Sequence, residues 1–422
     1  MIDKATIPKH WQIIKTAAVG KLLRGVNYKK EEASNEPKKD YLPILRGNNI
    51  NGELNFDDLV YVQRKNINEG QHIKKGDIVF AMSSGSKHLV GKSAKAKADF
   101  NGAFGAFCGV FRADKNIHKD FIAYFFQSPY YKKLISEISK GTNINNLKRE
   151  HILDLDFPYP PLPEQQAIVS KIEELFSELD NGIAQLKTAQ QQLKVYRQSL
   201  LKWAFEGRLT KKNIKDGKLP KGWKWVKLKE VASDISDGDH QAPPKSETGV
   251  PFITISNVNK TTSKIDFSDT FMVNKNYFQN LKGNRKPKIG DVLYTVTGSF
   301  GIPVLIDFEK DFCFQRHIGL IRPLPETNQK WVYYLLQSPQ VFGQAKETAT
   351  GTAQKTVALS SLRNFNIPLC SNNEQQLIVD ELESKLTVCD KIEETISQSL
   401  QQAETLRQSI LKKAFEGKLV KQ

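Results

Sequence analysis

This 422-residue sequence lacks the features of secreted, membrane and zinc-binding proteins. No two of its four cysteines stand close together, which argues against a disulfide framework or a zinc site and fits a reducing cytoplasm. No apolar run reaches the length of a membrane span, and the start Met1-Ile2-Asp3-Lys4 has no signal-peptide core. We therefore expect a cytoplasmic protein with no membrane partner.

Catalytic signatures are also scarce. The segment 85–93 resembles a phosphate-binding P-loop, but it has one residue too many between its glycines and no helix-forming start after Ser93. The motifs HExxH and GxSxG do not occur, nor does the Asn/Asp-Pro-Pro-aromatic motif of amino-methyltransferases. The seven histidines are scattered singly. The sequence therefore predicts neither a catalytic residue nor a metal site in this chain.

Acidic residues are too few to balance the basic ones. The chain has 62 lysines and arginines against 46 aspartates and glutamates, a formal net charge of +16. Such an excess favours a polyanionic partner. No strongly basic amphipathic segment points to a membrane surface, so nucleic acid is the expected partner.

The sequence does contain an internal duplication. Glu164-Gln165-Gln166 returns as Glu374-Gln375-Gln376, and the run 204–207 (Ala-Phe-Glu-Gly) returns as 414–417, both at an offset of 210 positions. A chain of this length exceeds one core, and the repeat divides it into halves of domain size. We expect a globular head at 1–160, a helix at 161–210, a second head at 211–370 and a second helix at 371–422.

Both duplicated segments are predicted to be long helices, because apolar residues recur in them at intervals of three, four and seven. Each would span roughly 60 Å and needs one partner for its narrow apolar seam, so we predict an antiparallel pair that acts as a spacer. Two unrelated helices, each lying on its own domain, are the alternative. The predicted seam residues are Ile172, Leu179, Leu186, Leu193, Leu382, Cys389, Ile396 and Leu406, and the predicted helix–head junction residues are Phe205, Gly207, Phe415 and Gly417.

The heads are predicted to be β-rich, since matched short strands occur in both and each is followed by a small polar loop. The fold class is therefore mixed α/β, with two heads separated by two long antiparallel helices in a pseudo-twofold repeat. Basic and amide side chains on such loops can enter a DNA groove. The candidate DNA-binding residues are Arg46, Asn48, Lys87, His88 and Lys92 in the first head, and Asp239, His240, Gln241, Lys245, Ser299, Arg316, His317 and Lys355 in the second.

Taken together, these motifs resemble the specificity subunit of a Type I restriction–modification system. The resemblance covers essentially the whole chain and is carried by the repeated helix ends and by the proline-rich start of the first helix at 160–166. The second head adds Gly238-Asp239-His240, the run 297–301 (Thr-Gly-Ser-Phe-Gly) and Gln315-Arg316-His317. The first head has neither the Gly-Asp-His nor the Gln-Arg-His triplet, and the second helix start lacks the prolines.

The resemblance implies two target-recognition domains, each of which reads one half of a split double-stranded DNA sequence while the helices set the gap. It implies two modification subunits docked on the helices and heads, and translocating restriction subunits that join for cleavage. No cofactor is expected in this chain; S-adenosylmethionine, Mg and ATP are expected in the partner subunits. The chain itself would not be an enzyme.

Two other readings stay open on the sequence alone. A duplicated coiled-coil adaptor that joins two protein partners would bind DNA only weakly and without sequence preference. A nuclease or methyltransferase with an unrecognised site would be active as the isolated chain.

Overall fold

A computed structural model of the chain describes residues 6–84, 90–141, 146–211, 213–214, 217–241 and 243–420. The fold is divided into two compact units. The first contains Met1–Leu186 and Gln398–Gln422, and the second contains Lys187–Ser397. Each unit thus combines one head with a stretch of both long helices. The mixed α/β fold and the internal repeat predicted from the sequence are confirmed.

The elements of the first repeat are short strands followed by helices. Its strands are β1 (Gln12–Lys15), β2 (Gly20–Arg24), β3 (Ala33–Ser34), β4 (Tyr41–Leu45), β5 (Ile50–Asn51), β6 (Glu53–Leu54), β7 (Val60–Gln63), β8 (Ile78–Ala81), β9 (Ser93–Lys95), β10 (Ala103–Phe104), β11 (Cys108–Ala113) and β12 (Asp156–Tyr159). Its helices are α1 (Lys119–Phe125), α2 (Pro129–Gly141), α3 (Glu150–Leu153) and α4 (Leu162–Phe205). One antiparallel sheet has the order β2-β11-β8-β9, and a mixed sheet has the order β10-β4-β7-β3.

The second repeat has a similar order of elements. Its strands are β13 (Lys224–Lys227), β14 (Ala232–Asp237), β15 (Val250–Ile253), β16 (Val258–Asn259), β17 (Lys264–Ile265), β18 (Phe271–Val273), β19 (Val292–Thr295), β20 (Pro303–Leu305), β21 (Cys313–Phe314), β22 (Ile318–Pro323) and β23 (Asn366–Leu369). Its helices are α5 (Lys275–Asn280), α6 (Gln329–Gln337), α7 (Pro339–Thr348), α8 (Leu359–Arg363) and α9 (Asn372–Phe415). This repeat lacks a counterpart of β3 and has an additional short helix, α5, between β18 and β19. The sheets β14-β22-β19-β20 and β18-β15-β21 correspond to the two larger sheets of the first head.

The buried glutamine of each Glu-Gln-Gln motif connects the start of a long helix to its head. Gln165 accepts a hydrogen bond from the His118 backbone N–H at 2.9 Å, and Gln375 accepts one from the Asn328 N–H at the same distance. Both bonds satisfy a backbone donor at the start of a head helix, α1 in the first head and α6 in the second. The motif therefore recurs for a structural reason.

The helix ends are fixed by a left-handed glycine. Gly207 and Gly417 have φ of +77° and +66°, a conformation that closes a helix and that other residues rarely adopt. A Cβ atom at Gly417 would lie 2.3 Å from Pro8 Cγ, and one at Gly207 would lie 2.2 Å from Pro220 Cγ. Each helix end therefore packs closely against the first residues of a head.

The long helices are antiparallel in each unit. In the first unit, Trp11 donates to Glu164 near the start of α4 at 2.9 Å and also lies against Gly417, just after α9. In the second unit, Lys211, just after α4, pairs with Glu374 near the start of α9 at 2.6 Å. The start of one helix therefore lies beside the end of the other.

The predicted seam positions of the long helices can be compared with the positions that are buried. On α9, buried side chains stand at Leu382, Cys389, Ile396, Ala403 and Ile410. On α4, Ile172 and Leu193 are buried, whereas Leu179 and Leu186 are half-buried.

The prediction for Leu406 is wrong, because its side chain is 51% exposed. Spacings of three and four place a residue on either flank of a helical stripe, and Leu406 lies on the exposed flank beside the buried Ala403.

The junction phenylalanines lie in the two cores. Phe415 is fully buried against Phe121 and Phe125, and Phe205 packs against Trp331. No helix in the described part of the chain is long and apolar enough to cross a membrane.

Candidate nucleic-acid interface

Five loops of the second head meet at one end of its sheets. They are residues 238–241, 254–257, 296–299, 315–317 and 355–357, which we call the second loop cluster. Main-chain hydrogen bonds join these loops, or the residue next to them, to one another. These bonds are Arg316 N to Asp239 O (3.0 Å), Gln315 N to Ile253 O (3.0 Å), Val296 N to His317 O (2.9 Å), Gly298 N to Lys355 O (2.9 Å) and Val357 N to Val296 O (2.8 Å).

Most of the second-head candidates share this cluster. Asp239, His240 and Gln241 are on its first loop, and Ser299 follows β19. Arg316 and His317 form the turn between β21 and β22, and Lys355 is on the last loop. Lys245 is not joined to the cluster by these bonds: its amine lies 5.3 Å from the Phe271 ring centroid, over the neighbouring sheet.

The Gly-Asp-His triplet is tied to the Gln-Arg-His turn by close packing. A Cβ atom at Gly238 would lie only 1.9 Å from the Phe314 carbonyl oxygen, so no side chain fits there without movement. Asp239 and Gln315 form a parallel β-bridge. The two motifs recognised in the sequence are therefore one structural unit.

The Asp239 carboxylate is paired with an arginine, Arg285, that was not among the residues predicted from the sequence. Arg285 Nη1 donates to Asp239 Oδ1 at 2.7 Å, and its Nη2 lies 3.4 Å from Asp237 Oδ1. His240 Nε2 lies 3.0 Å from the other oxygen of Asp237. The carboxylates are therefore neutralised and positioned within the protein, which makes Asp239 a residue that holds the loop as well as a candidate for base contact.

Arg316 is an exposed cation of the cluster. Its side chain is exposed, and no residue in the described ranges forms an ion pair with it. Burial and then the positive charge of Arg316 lower the pKa of His317. The imidazole is therefore neutral at pH 7 and presents one donor and one acceptor.

The first head has an equivalent first loop cluster, formed by residues 25–28, 46–49, 82–84, 105–107 and 146–147. Gly25 takes the place of Gly238, since its Cβ atom would lie 2.0 Å from the Gly105 oxygen. The turn Gly105-Ala106-Phe107 takes the place of Gln315-Arg316-His317. The matching bonds are Val26 N to Phe104 O (2.7 Å), Gly105 N to Leu45 O (2.9 Å), Met82 N to Phe107 O (2.9 Å) and Leu147 N to Met82 O (2.6 Å).

Arg46 and Asn48 belong to this first cluster, and both contact one carboxylate. Arg46 Nη2 donates to Asp58 Oδ2 at 2.9 Å and to its backbone oxygen at 2.8 Å, and Asn48 Nδ2 donates to Oδ2 at 3.1 Å. Asp58 is 79% exposed, so solvent weakens the pair. A phosphate or base could replace Asp58 as the partner of Arg46 at little free-energy cost.

The remaining first-head candidates stand apart. Lys92 donates to Asn51 at 2.8 Å and lines a cavity of about 1200 Å³ between the head and the helices of the same unit. That cavity contains acidic groups as well as basic ones, such as Asp120 paired with Lys95. Lys87 and His88 lie outside the described residues.

Tyr28 and Phe107 of the first cluster were not predicted from the sequence, nor was Arg285, which pairs with Asp239 of the second cluster. Phe107 is 69% exposed, the largest exposure among the exposed large apolar side chains of the described chain. Burial raises the pKa of Tyr28, while nearby Arg46 opposes the shift. None of the three stands in a repeated motif, so the duplication gave no signal for them. Among the described residues there is no group of three or more His, Cys, Asp or Glu side chains that could hold a metal ion.

Known proteins resemble this chain over its full length. A family model described as Type I restriction modification DNA specificity domain matches residues 8–189 and 220–402. The Type I restriction enzyme EcoKI specificity subunit of Escherichia coli (strain K12) is 34% identical over 427 residues, which cover 99% of this chain and 90% of that protein. The StySPI specificity subunit of Salmonella potsdam is 32% identical, with coverage of 100% and 92%.

Solved structures agree on the fold. A chain from a structure that concerns complex assembly and conformational transition of the type I R-M system aligns with a TM-score of 0.71 at 21% identity, covering 98% of this chain and 99% of that chain. The HsdS subunit from Thermoanaerobacter tengcongensis aligns with a TM-score of 0.57, also at 21% identity, covering 98% of both chains.

Proposed function

The chain belongs to the Type I restriction modification DNA specificity family as a specificity subunit with two target-recognition domains, and from that premise we propose how its two heads read DNA. Each loop cluster contacts one half of a split double-stranded target. The second cluster reads its half through Arg316, His317, His240 and Gln241, and Lys355 contacts phosphate. The first cluster reads the other half through Arg46, Asn48 and the 105–107 turn.

The observation that supports this proposal is the same main-chain framework carrying different side chains in the two heads. The turn that is Gln315-Arg316-His317 in one head is Gly105-Ala106-Phe107 in the other. Arginine favours guanine in the major groove and amides favour adenine, so clusters with different side chains read different bases.

The chemistry belongs to partner subunits in this proposal. Two modification subunits dock on the helix pair and heads, bind S-adenosylmethionine and methylate an adenine in each half-site, after flipping it from the stack. Restriction subunits use ATP and Mg to translocate and cleave. The helix pair sets the unread gap, so that the centres of the two half-sites lie about 34 Å, one turn of B-DNA, or a multiple of that distance apart. This chain supplies binding and spacing.

Genome-wide mapping of methylated adenine tests the proposal in the host, with and without this gene. A split motif that is methylated only when the gene is present is the expected result. Two results would contradict the proposal that two separate heads read one target. In one, deletion of the gene removes no methylated motif; in the other, the motif that it removes is continuous.

A binding experiment then assigns the heads. Duplexes in which one half-site at a time is scrambled are titrated with the full chain bound to its modification subunits. Arg316→Ala should weaken binding by roughly 5- to 150-fold, matching the 1–3 kcal/mol of a base contact, and should abolish discrimination at one half-site only. Lys355→Ala should instead weaken binding to every sequence and reduce the salt dependence by about one counterion. Equal loss at both half-sites for Arg316→Ala would refute independent heads.

A further inference from the structure

Phe107 is an apolar side chain at the centre of the first loop cluster. Its backbone oxygen accepts hydrogen bonds from Met82 N at 2.9 Å and from Ser83 N at 3.1 Å. The turn is closed by Cys108 N donating to Gly105 O at 2.8 Å. The main chain is therefore fixed from both sides, whereas 69% of the residue remains exposed to water.

The head does not need this ring for its own core. The buried clusters of the first head contain Phe104 and Cys108, the neighbours of Phe107, but not Phe107 itself. A phenylalanine side chain that stays in water does not gain the favourable free energy of burial, and exposed positions are more often occupied by polar residues. An aromatic ring held outward by a rigid turn is suited to contact a partner.

The equivalent position in the second head identifies the partner surface. The bond from Met82 N to Phe107 O corresponds to the bond from Val296 N to His317 O, and both measure 2.9 Å. Phe107 therefore occupies the place of His317, which follows the exposed Arg316. If the second turn faces the edges of base pairs, the first turn does so too.

We propose that Phe107 is a specificity-determining residue that contacts the methyl group of a thymine in the half-site read by the first head. This inference rests on the proposed function. In the major groove, thymine alone among the four bases presents an apolar group, its C5 methyl, and phenylalanine is one of the side chains that contact it. The neighbouring Arg46 supplies the polar contact that an adjacent base pair or phosphate requires.

The test replaces thymine by uracil, which lacks only the methyl group. Duplexes carry the mapped target with each thymine of the first half-site changed singly to uracil, on either strand, and are titrated at fixed salt with the full chain bound to its modification subunits. For the wild-type chain, one replacement should weaken binding about fourfold. That factor corresponds to the transfer free energy of one methyl group from water to an apolar contact. Replacements in the other half-site serve as the internal control.

Two variants complete the experiment. Phe107→Ala should bind the thymine and uracil duplexes equally at that position and should keep its discrimination in the second half-site. Phe107→Leu retains an apolar surface and should keep part of the thymine preference. Thermal unfolding should be unchanged in both, because the ring is exposed.

Three results would overturn the proposal: an undiminished thymine preference in Phe107→Ala, no sensitive thymine in the first half-site, or a first half-site without thymine on either strand. If the wild-type chain prefers no sequence at all, the proposed function itself fails, and that outcome is distinct because the second half-site then shows no discrimination either.

Discussion

A buried ion pair holds the main sheet of each head, and its loss offers a quantitative test of the fold. In the second head, Arg322 Nε donates to Asp291 Oδ1 at 2.8 Å and Nη2 donates to Oδ2 at 2.7 Å. The Asp291 side chain is only 3% exposed, and that of Arg322 is 21% exposed. The pair joins β22 to the turn before β19, and the guanidinium also donates to the Lys286 oxygen at 2.9 Å.

Replacing Arg322 by Met should destabilise the second head strongly. The carboxylate of Asp291 would keep a hydrogen bond from Lys288 N at 2.8 Å but would lose both charged donors while still buried. Removing one partner of a buried pair typically costs about 3–5 kcal/mol. For a unit of this size, that corresponds to a fall of about 6–20 °C in the midpoint of its thermal transition, measured by calorimetry.

The controls separate the buried charge from the lost packing. Asp291→Asn combined with Arg322→Met should be less destabilising than the sum of the single changes, because no uncompensated charge remains. Lys97→Ala removes an ion pair with Glu53 whose members are both about three-quarters exposed, and should cost less than about 1 kcal/mol. An Arg322→Met variant within 1 kcal/mol of wild type, or full additivity in the double variant, would refute the reasoning.

Further predictions follow from the junctions, the loops and the titrating groups. Phe415→Ala should lower the free energy of unfolding by about 3–5 kcal/mol in denaturant titrations. Leu406→Ala, on the exposed flank, should change that free energy by less than about 0.5 kcal/mol. Similar losses for the two variants would contradict the burial described above. Gly238→Ala should displace its loop from the Phe314 oxygen and weaken DNA binding at the half-site of the second head alone. Titrations with duplexes in which one half-site is scrambled would measure this loss. An unchanged affinity would argue against the close packing of the loops. The pKa of His317 is lowered from 6.5, so its contribution to stability is fully present above that value and is lost as the pH falls through the folded pKa. A His317→Gln variant should show a shallower decline of stability below pH 6.5, and an identical decline would contradict this assignment.

The long helices and the repeat could be predicted from the sequence because their signals are periodic. Residues that recur identically, such as Gln165 and Gln375, satisfy the same backbone donors in both heads. Heptad spacing also predicted positions of the long helices that are buried, such as Ile172 and Cys389. It failed at Leu406, since hydrophobicity alone does not say which flank of a helical stripe faces the partner.

The loop clusters were predictable only in part. In the second head, polar triplets marked the loops, and the structure brings Asp239, Arg316 and Lys355 into one cluster. In the first head the same turn reads Gly105-Ala106-Phe107, and no residue type is shared. Main-chain pairing leaves no signature in a single sequence, so the equivalence emerged only from the hydrogen bonds.

This division between framework and side chain has a physical basis. The loops are joined by backbone N–H and C=O groups, which every residue except proline provides in full. A side chain on the outward face of the 105–107 or 315–317 turn can therefore change without losing a bond that holds the turn. The glycines at the points of closest approach, Gly25 and Gly238, are the exception, because any Cβ atom there would overlap a carbonyl oxygen. Two heads built this way can diverge in what they contact while keeping one geometry, and the positions that differ between them at equal backbone pairing are where specificity is expected to reside.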